Sequence, residues 1–337
     1  MHVDAAIAPD LSHPVVDVLR ERAAGGSAPG ARRDPHRVAL VLEGGGMRGV
    51  VSAGMAAALE RLGLTAGFDL VVGSSAGAIN GGALVAGVAR GCAAAYHGPF
   101  ASRSFVNPAR VLWGRPVMSV DYVLGYDSPD LDAERHQRAV DSPITFHCVA
   151  TDVATAAAVD LSGMASKQEL WQAILASSRM PWAGGPPVTF QGRRFVDGGL
   201  AAPIPVVEAL AAGATHVLAL QTRPYDVPRK SHSRLADRLI ERHLRQLNPA
   251  LVTLYRARVG EYETTVADIA RRSGDAGAGP PHVLGLRPPA GTPVVGQLER
   301  RSAILATAAA DAERLVERLL GTDNLRSVRT RGAEGAA

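Results

Sequence analysis

The chain has 337 residues, 47% hydrophobic and 20% charged, enough for a large buried core in one α/β domain or two smaller ones. Its formal net charge is +4, carried mostly by arginine, and no aromatic-interleaved basic patch occurs, which disfavours nucleic-acid binding. The arginine excess fits phosphate-bearing ligands, anionic membranes or merely a solvated surface. The two cysteines have neither metal-ligand nor disulfide spacing, which predicts no metal site and a reducing compartment. The sequence shows no secretory signal and no long apolar run, so we expect a cytoplasmic protein with no membrane-spanning helix.

The two ends of the chain have the composition of loose segments. A short helix is predicted at Pro14 to Ala24. It is followed by the stretch GGSAPGARRDPHR, which is rich in glycine, proline and arginine. We predict that residues 1–36 are a flexible N-terminal segment and that residues 321–337 form a disordered tail. Residues 37–320 are then expected to form the folded domain.

The domain begins with alternating strand and helix patterns. Val38 to Leu42 is a short apolar run typical of a buried parallel strand, and it ends at three consecutive glycines. Helical spacing runs from Val50 to Leu62, a second strand is predicted at Leu70 to Val72, and a small-residue helix extends from Ala76 to about Ala89. This order is typical of a wound α/β fold with a parallel sheet.

Later elements are less regular. Strands are predicted at Ile144 to Thr151 and Val217 to Leu220, with a helix at Lys167 to Ser178. The segment Arg103 to Leu131 is irregular and aromatic, and we interpret it as a lid or loop. The C-terminal part, 232–320, is predicted to be helical and charged.

The stretch FDLVVGSSAGAINGG carries the pattern G-x-S-x-G where the second strand meets a helix. In a nucleophile elbow the serine has strained backbone torsions, so its neighbours must be small. Gly73, Ala76 and Gly77 meet this demand around Ser75, and the following helix N-terminus favours developing negative charge. The pattern favours a nucleophile over the alternative, a tightly packed structural turn.

The glycine cluster EGGGMRG has two interpretations. Gly44, Gly46 and Gly49 match a dinucleotide fingerprint, and Asp69 lies 20 residues beyond Gly49. However, the ribose-binding acid belongs at the carboxyl end of the second strand, whereas Asp69 stands at its beginning. We favour an oxyanion loop, in which the N–H groups of consecutive glycines bind an acyl oxygen.

Two kinds of residue are candidates for the base that activates Ser75. A triad in the order serine, acid, histidine has four candidate histidines further along the chain: His216, His232, His243 and His282. The other candidate is Asp197, in RRFVDGGLAAPIP, which ends a short extended run before Gly198 and Gly199. An Asp-Gly-Gly turn alone is a weak signal, so its weight depends on the other motifs.

The ordered motifs EGGGMRG, GSSAG and DGG resemble those of the patatin-like phospholipases, from about Val38 to Pro224 and including ASSRMPWAGGPPV. The small bacterial cytosolic branch is the most similar. The resemblance implies a patatin-like three-layer αβα fold with a mainly parallel central sheet, a nucleophile at Ser75 and a proton acceptor at Asp197. It implies an oxyanion hole from Gly44, Gly45, Gly46, Arg48 and Gly49. The remaining glycines of the GSSAG and DGG motifs, Gly73, Gly77, Gly198 and Gly199, would support the nucleophile and the aspartate.

The function implied by the resemblance is a serine lipid acyl hydrolase of phospholipase A, lysophospholipase or esterase type. It would cleave a lipid or fatty-acyl ester through an acyl-Ser75 intermediate, without a cofactor and without a histidine. An aspartate of ordinary pKa, roughly 3.9, is a poor base for a serine hydroxyl. We therefore expect either that burial raises the pKa of Asp197 or that oxyanion stabilisation supplies more of the rate.

Several features leave alternatives open. Arg48 is expected to anchor the glycine loop or to bind a head-group phosphate, and Glu43 and the DGG form depart from commoner family patterns. Membrane contact is expected to be peripheral, at the inner surface. An apolar stretch is predicted to line an acyl pocket, touch the bilayer or cover the core: Phe100, Phe105, Val111, Leu112, Trp113, Val117 and Met118. The rival functions are a catalytically silent lipid- or protein-binding module and a dinucleotide-dependent oxidoreductase.

Overall fold

The computed structural model describes residues 12–113, 115–124, 133–183, 185–231, 233–277 and 279–321. The strands are β1 (Val38–Leu42), β2 (Leu70–Ser74), β3 (Thr145–Asp152), β4 (Ala158–Asp160), β5 (Val188–Phe190), β6 (Arg193–Val196), β7 (His216–Leu220) and β8 (His282–Leu286). The helices are α1 (Pro14–Ala24), α2 (Val50–Arg61), α3 (Ala76–Val85), α4 (Ala89–His97), α5 (Val120–Leu124), α6 (Ala133–Val140), α7 (Lys167–Ser178), α8 (Val206–Ala211), α9 (Arg234–Leu247), α10 (Pro249–Ser273) and α11 (Ser302–Leu320).

The strands form one eight-stranded sheet in the order β5-β6-β3-β2-β1-β7-β8, with β4 paired to β3. Strands β3, β2, β1, β7 and β8 run parallel, whereas β4, β5 and β6 add antiparallel pairs at one side. The register sets Leu42 level with Gly73 of β2 and Leu220 of β7. The turns that follow β1 and β2 therefore lie together at the carboxyl edge of the sheet.

Both faces of the sheet are covered by helices. Successive side chains of β1 point to opposite faces: Val38, Leu40 and Leu42 pack in one apolar cluster, and Ala39 and Val41 in another. The first cluster includes side chains of α2, α3, α4 and α11, and the second includes side chains of α8 and α10. The prediction of a three-layer αβα fold with a mainly parallel sheet is confirmed.

The N-terminal segment differs from its prediction. Residues 12–36 pack against the domain rather than forming a flexible linker, because α1 buries an apolar face and a charge cluster holds the segment behind it. Arg22 is 2% exposed, and its guanidinium donates to Asp34 at 2.7 Å and to Asp69 at 2.8 Å. Residues 1–11 lie outside the described residues, so the prediction of flexibility is corrected only for 12–36.

Two other predicted elements need correction. The helical C-terminal part contributes a strand, β8, whose apolar run HVLGL pairs in parallel with β7 and is buried almost throughout. The helix expected from residue 76 to about residue 89 ends earlier, at Val85, and a separate helix, α4, begins at Ala89; between them Gly87 has a φ of +73°. The predicted bounds of α1, β1 and α7 agree with the structure.

Two predicted segments are covered only in part. The irregular region 103–131 contains 3₁₀ turns and α5, and its residues 114 and 125–131 lie outside the described residues. The same holds for 322–337, nearly all of the predicted tail. No helix within the described ranges is long and apolar enough to cross a membrane.

Candidate active site

Ser75 lies in the turn between β2 and α3, at the carboxyl edge of the sheet. Its φ of +56° and ψ of −127° are strained for a residue with a side chain. A Cβ at Gly73 would collide with the carbonyl of Gly77, and a Cβ at Gly77 would collide with the carbonyl oxygen of Leu42. The small residues of G-x-S-x-G are therefore required by close backbone packing around the elbow.

Two serines at the end of α7 hold this elbow in place. The N–H of Ser75 donates to Ser177 Oγ at 2.9 Å, and Ser177 Oγ donates to the carbonyl of Val149 in β3 at 2.5 Å. Ser178 Oγ donates to the carbonyl of Ser75 at 3.2 Å. Sequence reasoning gave neither serine a role, although both lie in the ASSRMPW stretch ahead of the aspartate.

Asp197 follows β6 and lies beside the elbow. Ser75 Oγ donates to Asp197 Oδ2 at 2.7 Å, and Asp197 Oδ1 accepts a hydrogen bond from the N–H of Gly199, also at 2.7 Å. A Cβ at Gly198 would collide with the carbonyl of Val149, so the first glycine of DGG lets this turn lie against β3. The structure thus brings together the serine and aspartate singled out in the sequence.

The environment of Asp197 changes its acidity. Burial raises the pKa of Asp197 to about 6, while hydrogen bonds from Ser75 and Gly199 and the charge of Arg229 act to lower it. This is the first of the two alternatives expected from the sequence. At neutral pH the carboxyl group is still mostly ionised and accepts a proton more readily than an ordinary aspartate.

The glycine loop after β1 contributes unpaired donors to the same site. Gly45 and Gly46 have φ values of +147° and +59°, conformations that favour glycine. Among the described residues, none accepts a hydrogen bond from the N–H of Gly45 or Gly46, and both residues line a cavity with Ser75. Two such donors beside a serine hydroxyl are able to bind a developing oxyanion.

The other two glycines of the loop have packing positions. The N–H of Gly44 donates to the carbonyl of Pro203 at 3.4 Å. Gly49 lies under α3, where an added Cβ would be 2.7 Å from the Cβ of Ala76. The side chain of Asn80 donates to the Gly49 carbonyl at 2.8 Å. The structure therefore separates Gly49 from the donors that line the cavity.

Arg48 ties the loop to the end of β7. A Cβ at Gly45 would be 2.6 Å from an Arg48 nitrogen, and Arg48 Nε donates to Thr222 Oγ1 at 3.0 Å. Beneath it, the buried Glu43 carboxylate accepts from the Thr222 N–H at 2.5 Å and from the Tyr262 hydroxyl at 3.1 Å. Burial, then the charge of Arg223, lowers the pKa of Arg48 to about 10, so it remains a cation. Its contacts match the anchoring alternative, made through side chains rather than carbonyls.

Ser75 lies where two cavities meet. One is apolar, and its lining includes Ile79, Phe100, Phe105, Met118, Val120 and Val123. Three members of the predicted apolar stretch thus face the serine, while Trp113 is 70% exposed. The side chains of residues 111 and 112 lie outside the described part of the chain.

The second cavity is polar and strongly cationic. Besides the dyad and the glycine loop, it is lined by charged side chains: Glu43, Arg48, Arg223, Arg229, Lys230 and Arg258. Sequence reasoning missed the last four, because they stand in no motif and reach the site from the end of β7, the following loop and α10.

The rejected candidates lie elsewhere. His216 and His282 begin β7 and β8, level with Val38 at the amino edge of the sheet, whereas Ser75 follows the carboxyl edge. Asp69 also lies at the amino edge, bound by Arg22 and Arg32. His243 is on α9, and His232 lies outside the described residues. No cluster of three or more potential metal-binding side chains occurs in the parts of the chain that the structure describes.

A three-layer α/β protein with a strained serine at a strand-to-helix turn has the architecture typical of nucleophile-elbow hydrolases. The family model for patatin-like phospholipases matches residues 40–210. The chain therefore belongs to the patatin-like phospholipase family, whose members are lipid hydrolases, and the resemblance seen in the sequence is confirmed.

Individual relatives cover only part of the chain. It is 32% identical over 198 residues to the uncharacterized protein YjjU of Escherichia coli, covering 56% of this chain and 53% of YjjU. It is 31% identical over 194 residues to lysophospholipase NTE1 of Lodderomyces elongisporus, covering 56% of this chain and 13% of NTE1. The match thus spans about half of one relative and a small part of the other. The crystal structure of VipD from Legionella pneumophila aligns with a TM-score of 0.40 and 12% identity, over 85% of this chain and 67% of VipD.

Proposed function

We propose that the protein is a carboxylic ester hydrolase acting on lipid acyl esters, of phospholipase A, lysophospholipase or esterase type. Ser75 is the nucleophile and Asp197 is the proton acceptor. The observation that carries this proposal is the 2.7 Å hydrogen bond from Ser75 Oγ to Asp197 Oδ2, made at a strained elbow in a cavity lined by Gly45 and Gly46. Family membership supports a lipid as substrate.

Acylation follows from this geometry. The carbonyl oxygen of the ester accepts hydrogen bonds from the N–H groups of Gly45 and Gly46. Ser75 Oγ attacks the carbonyl carbon while its proton passes to Asp197 Oδ2. The tetrahedral species collapses by breaking the ester C–O bond, and the leaving alkoxide takes the proton from Asp197, which gives a free alcohol and acyl-Ser75.

Deacylation repeats the sequence with water. Asp197 takes a proton from a water molecule as the water oxygen attacks the acyl-Ser75 carbonyl. Breaking the bond to Ser75 Oγ returns that proton to the serine and releases the carboxylic acid. No imidazole is needed, because a carboxylate with a pKa of about 6 is ionised at neutral pH and more basic than an ordinary aspartate.

The two cavities give the substrate an orientation. The apolar cavity suits the acyl chain, since it begins at Ser75 and is lined by aliphatic and aromatic side chains. The polar cavity then receives the alcohol side of the ester. NTE1 is named a lysophospholipase, which accords with a site that offers one apolar cavity at the serine.

Contact with a lipid surface is proposed to be peripheral and to use α9. Leu235 is 69% exposed and Leu239 is 61% exposed, one helical turn apart. Exposed arginines flank them: Arg234, Arg238, Arg242 and Arg245. Such a helix suits the surface of an anionic bilayer. Asp237 of α9 pairs with Arg258, which lines the polar cavity, so α9 borders the site.

The proposal is tested by covalent labelling with a fluorophosphonate probe, intact mass and peptide mapping. A single adduct on Ser75, absent in Ser75→Ala and much slower to form in Asp197→Asn, is the expected result. Folded protein that takes no label would instead favour the catalytically silent binding module.

A further inference from the structure

Two arginines beside the serine lack a carboxylate partner among the described residues. The guanidinium carbons of Arg223 and Arg229 lie 5.8 Å and 5.3 Å from the ring centre of Tyr262. Arg223 Nε is buried and donates to no acceptor in the described part of the chain. The Arg229 guanidinium donates only weakly within the described chain, at 3.4 Å to the carbonyl of Arg258. Both side chains are half-buried, and guanidinium donors that are partly removed from water without a carboxylate are costly, so a missing anion is the simplest account of this pair.

Two other arginines, which are more deeply buried, have carboxylate partners. Buried Arg22 pairs with Asp34 and Asp69, and buried Arg258 pairs with Asp237. A third buried arginine, Arg287, donates to the carbonyls of Arg223 and Pro224. Each of the three thus has close oxygen acceptors for its guanidinium, whereas Arg223 and Arg229 have no carboxylate partner among the described residues.

The whole polar cavity carries excess positive charge. Its lining contains five cationic side chains and two carboxylates, those of Glu43 and Asp197. Burial, then the charge of Arg223, lowers the pKa of Arg229. The positive charge of Arg223 thus disfavours the ionised form of Arg229, and an anion placed between the two guanidinium groups would favour it.

The chemistry of the pair selects the anion. A guanidinium binds two oxygens of a phosphate through a planar fork, so two guanidiniums facing one space suit a phosphate group. Both arginines line the cavity that contains Ser75, and Arg229 also acts electrostatically on Asp197, so the pair lies within reach of a substrate held at Ser75. Both arginines lie outside residues 40–210, so the family match itself does not specify them.

We propose that Arg223 and Arg229 form a phosphate subsite that selects phosphate-bearing acyl esters over neutral glycerides. With the acyl chain in the apolar cavity and the ester carbonyl at Ser75, the phosphate of the same molecule lies between the two guanidinium groups. This inference rests on the proposed function, because it places the ester at Ser75.

The test compares two substrates with the same acyl chain, 1-oleoyl lysophosphatidylglycerol and 1-monoolein, by release of oleate. We expect Arg223→Gln to lower kcat/KM for the phosphate ester by about 10- to 100-fold and to change monoolein hydrolysis by less than about two-fold. Arg229→Gln should lower kcat/KM for the phosphate ester by at least about 10-fold more than for monoolein, whose hydrolysis also depends on the charge of Arg229 near Asp197. Arg271→Gln, an exposed substitution on α10 with the same loss of charge, should alter neither substrate. Equal losses on both substrates in correctly folded variants would overturn the subsite.

A third measurement separates a lipid head group from free phosphate, which shares the same chemistry. If the subsite binds the head group, inorganic phosphate competes with the lysophospholipid, raising its KM in the native protein but not in Arg223→Gln. If phosphate instead changes the rate on monoolein while lysophospholipid is not preferred, the head-group proposal is wrong. Fluorophosphonate labelling keeps the two proposals apart: labelled Ser75 without head-group preference refutes only the subsite.

Discussion

Replacing the proposed base by its neutral isostere should stabilise the fold. In Asp197→Asn, the side-chain oxygen still accepts from the N–H of Gly199, and the new amide donates to Ser75 Oγ. What disappears is the ionised carboxylate, which burial destabilises. The substitution therefore removes activity and raises stability together, as is common where a site is strained for function.

The magnitude follows from the pKa of Asp197, raised from the ordinary value of 3.8 to about 6. Because its pKa is higher in the folded protein, Asp197 favours folding when it is protonated. This contribution to the free energy of unfolding is fully present below about pH 4 and is lost as the pH rises to about 6. At about 1.4 kcal/mol per pKa unit, the loss is about 3 kcal/mol at pH 7 and about half of that at pH 5. We expect Asp197→Asn to recover these amounts, which corresponds to a rise in Tm of about 5 °C at neutral pH.

Urea unfolding at both pH values, supported by calorimetry, measures the effect. Asp152→Asn is the matched control, because Asp152 is 1% exposed. Although burial acts to raise it, the pKa of Asp152 is lowered by hydrogen bonds from Thr155 and by the charge of Arg193. This control should lose stability at neutral pH. An Asp197→Asn protein no more stable than the native one, or a gain independent of pH, would refute the reasoning.

Three further predictions concern catalysis and lipid contact. The kcat/KM for a soluble ester should rise with pH to half its plateau near pH 6, where Asp197 loses its proton, and a flat profile from about pH 5 to 9 would contradict this. Ser177→Ala leaves the buried N–H of Ser75 without its acceptor, and we expect about a ten-fold loss of kcat and a Tm lower by a few degrees, measured by kinetics and calorimetry. The paired change Leu235→Ser and Leu239→Ser should abolish co-sedimentation with phosphatidylglycerol vesicles while hydrolysis of a short soluble ester persists; unchanged sedimentation would exclude α9 as the contact.

Local patterns predicted much of the scaffold. The apolar run of β1, the elbow after β2 and the helix α7 were found because each depends on residues close together in the chain. The fold class followed from the alternation of these elements and from the resemblance of three ordered motifs. Strand β6 was predicted only as a short extended run before Asp197, and β4, β5 and β8 were not predicted, because they are stabilised by their neighbours in the sheet.

The geometry of the site could be predicted only in part. The motifs singled out Ser75 and Asp197, but these residues are 122 positions apart, and their hydrogen bond depends on the pairing of β6 with β3 and of β3 with β2. Gly49 shows the converse, since a motif glycine predicted to line the site packs under α3. A motif identifies the residue type at a position, whereas the role of that residue depends on the groups that the tertiary structure packs against it.

By itself, then, the sequence determined the family, the parallel α/β core and the two residues of the proposed dyad. Backbone preferences and motifs depend on residues close together in the chain, so they can be recognised without the tertiary structure. Only the tertiary structure decided the acidity of Asp197, the docking of residues 12–36 and the position of Arg223 and Arg229 beside the serine. Burial and charge pairing arise between distant segments, and strand order and register determine which of them meet.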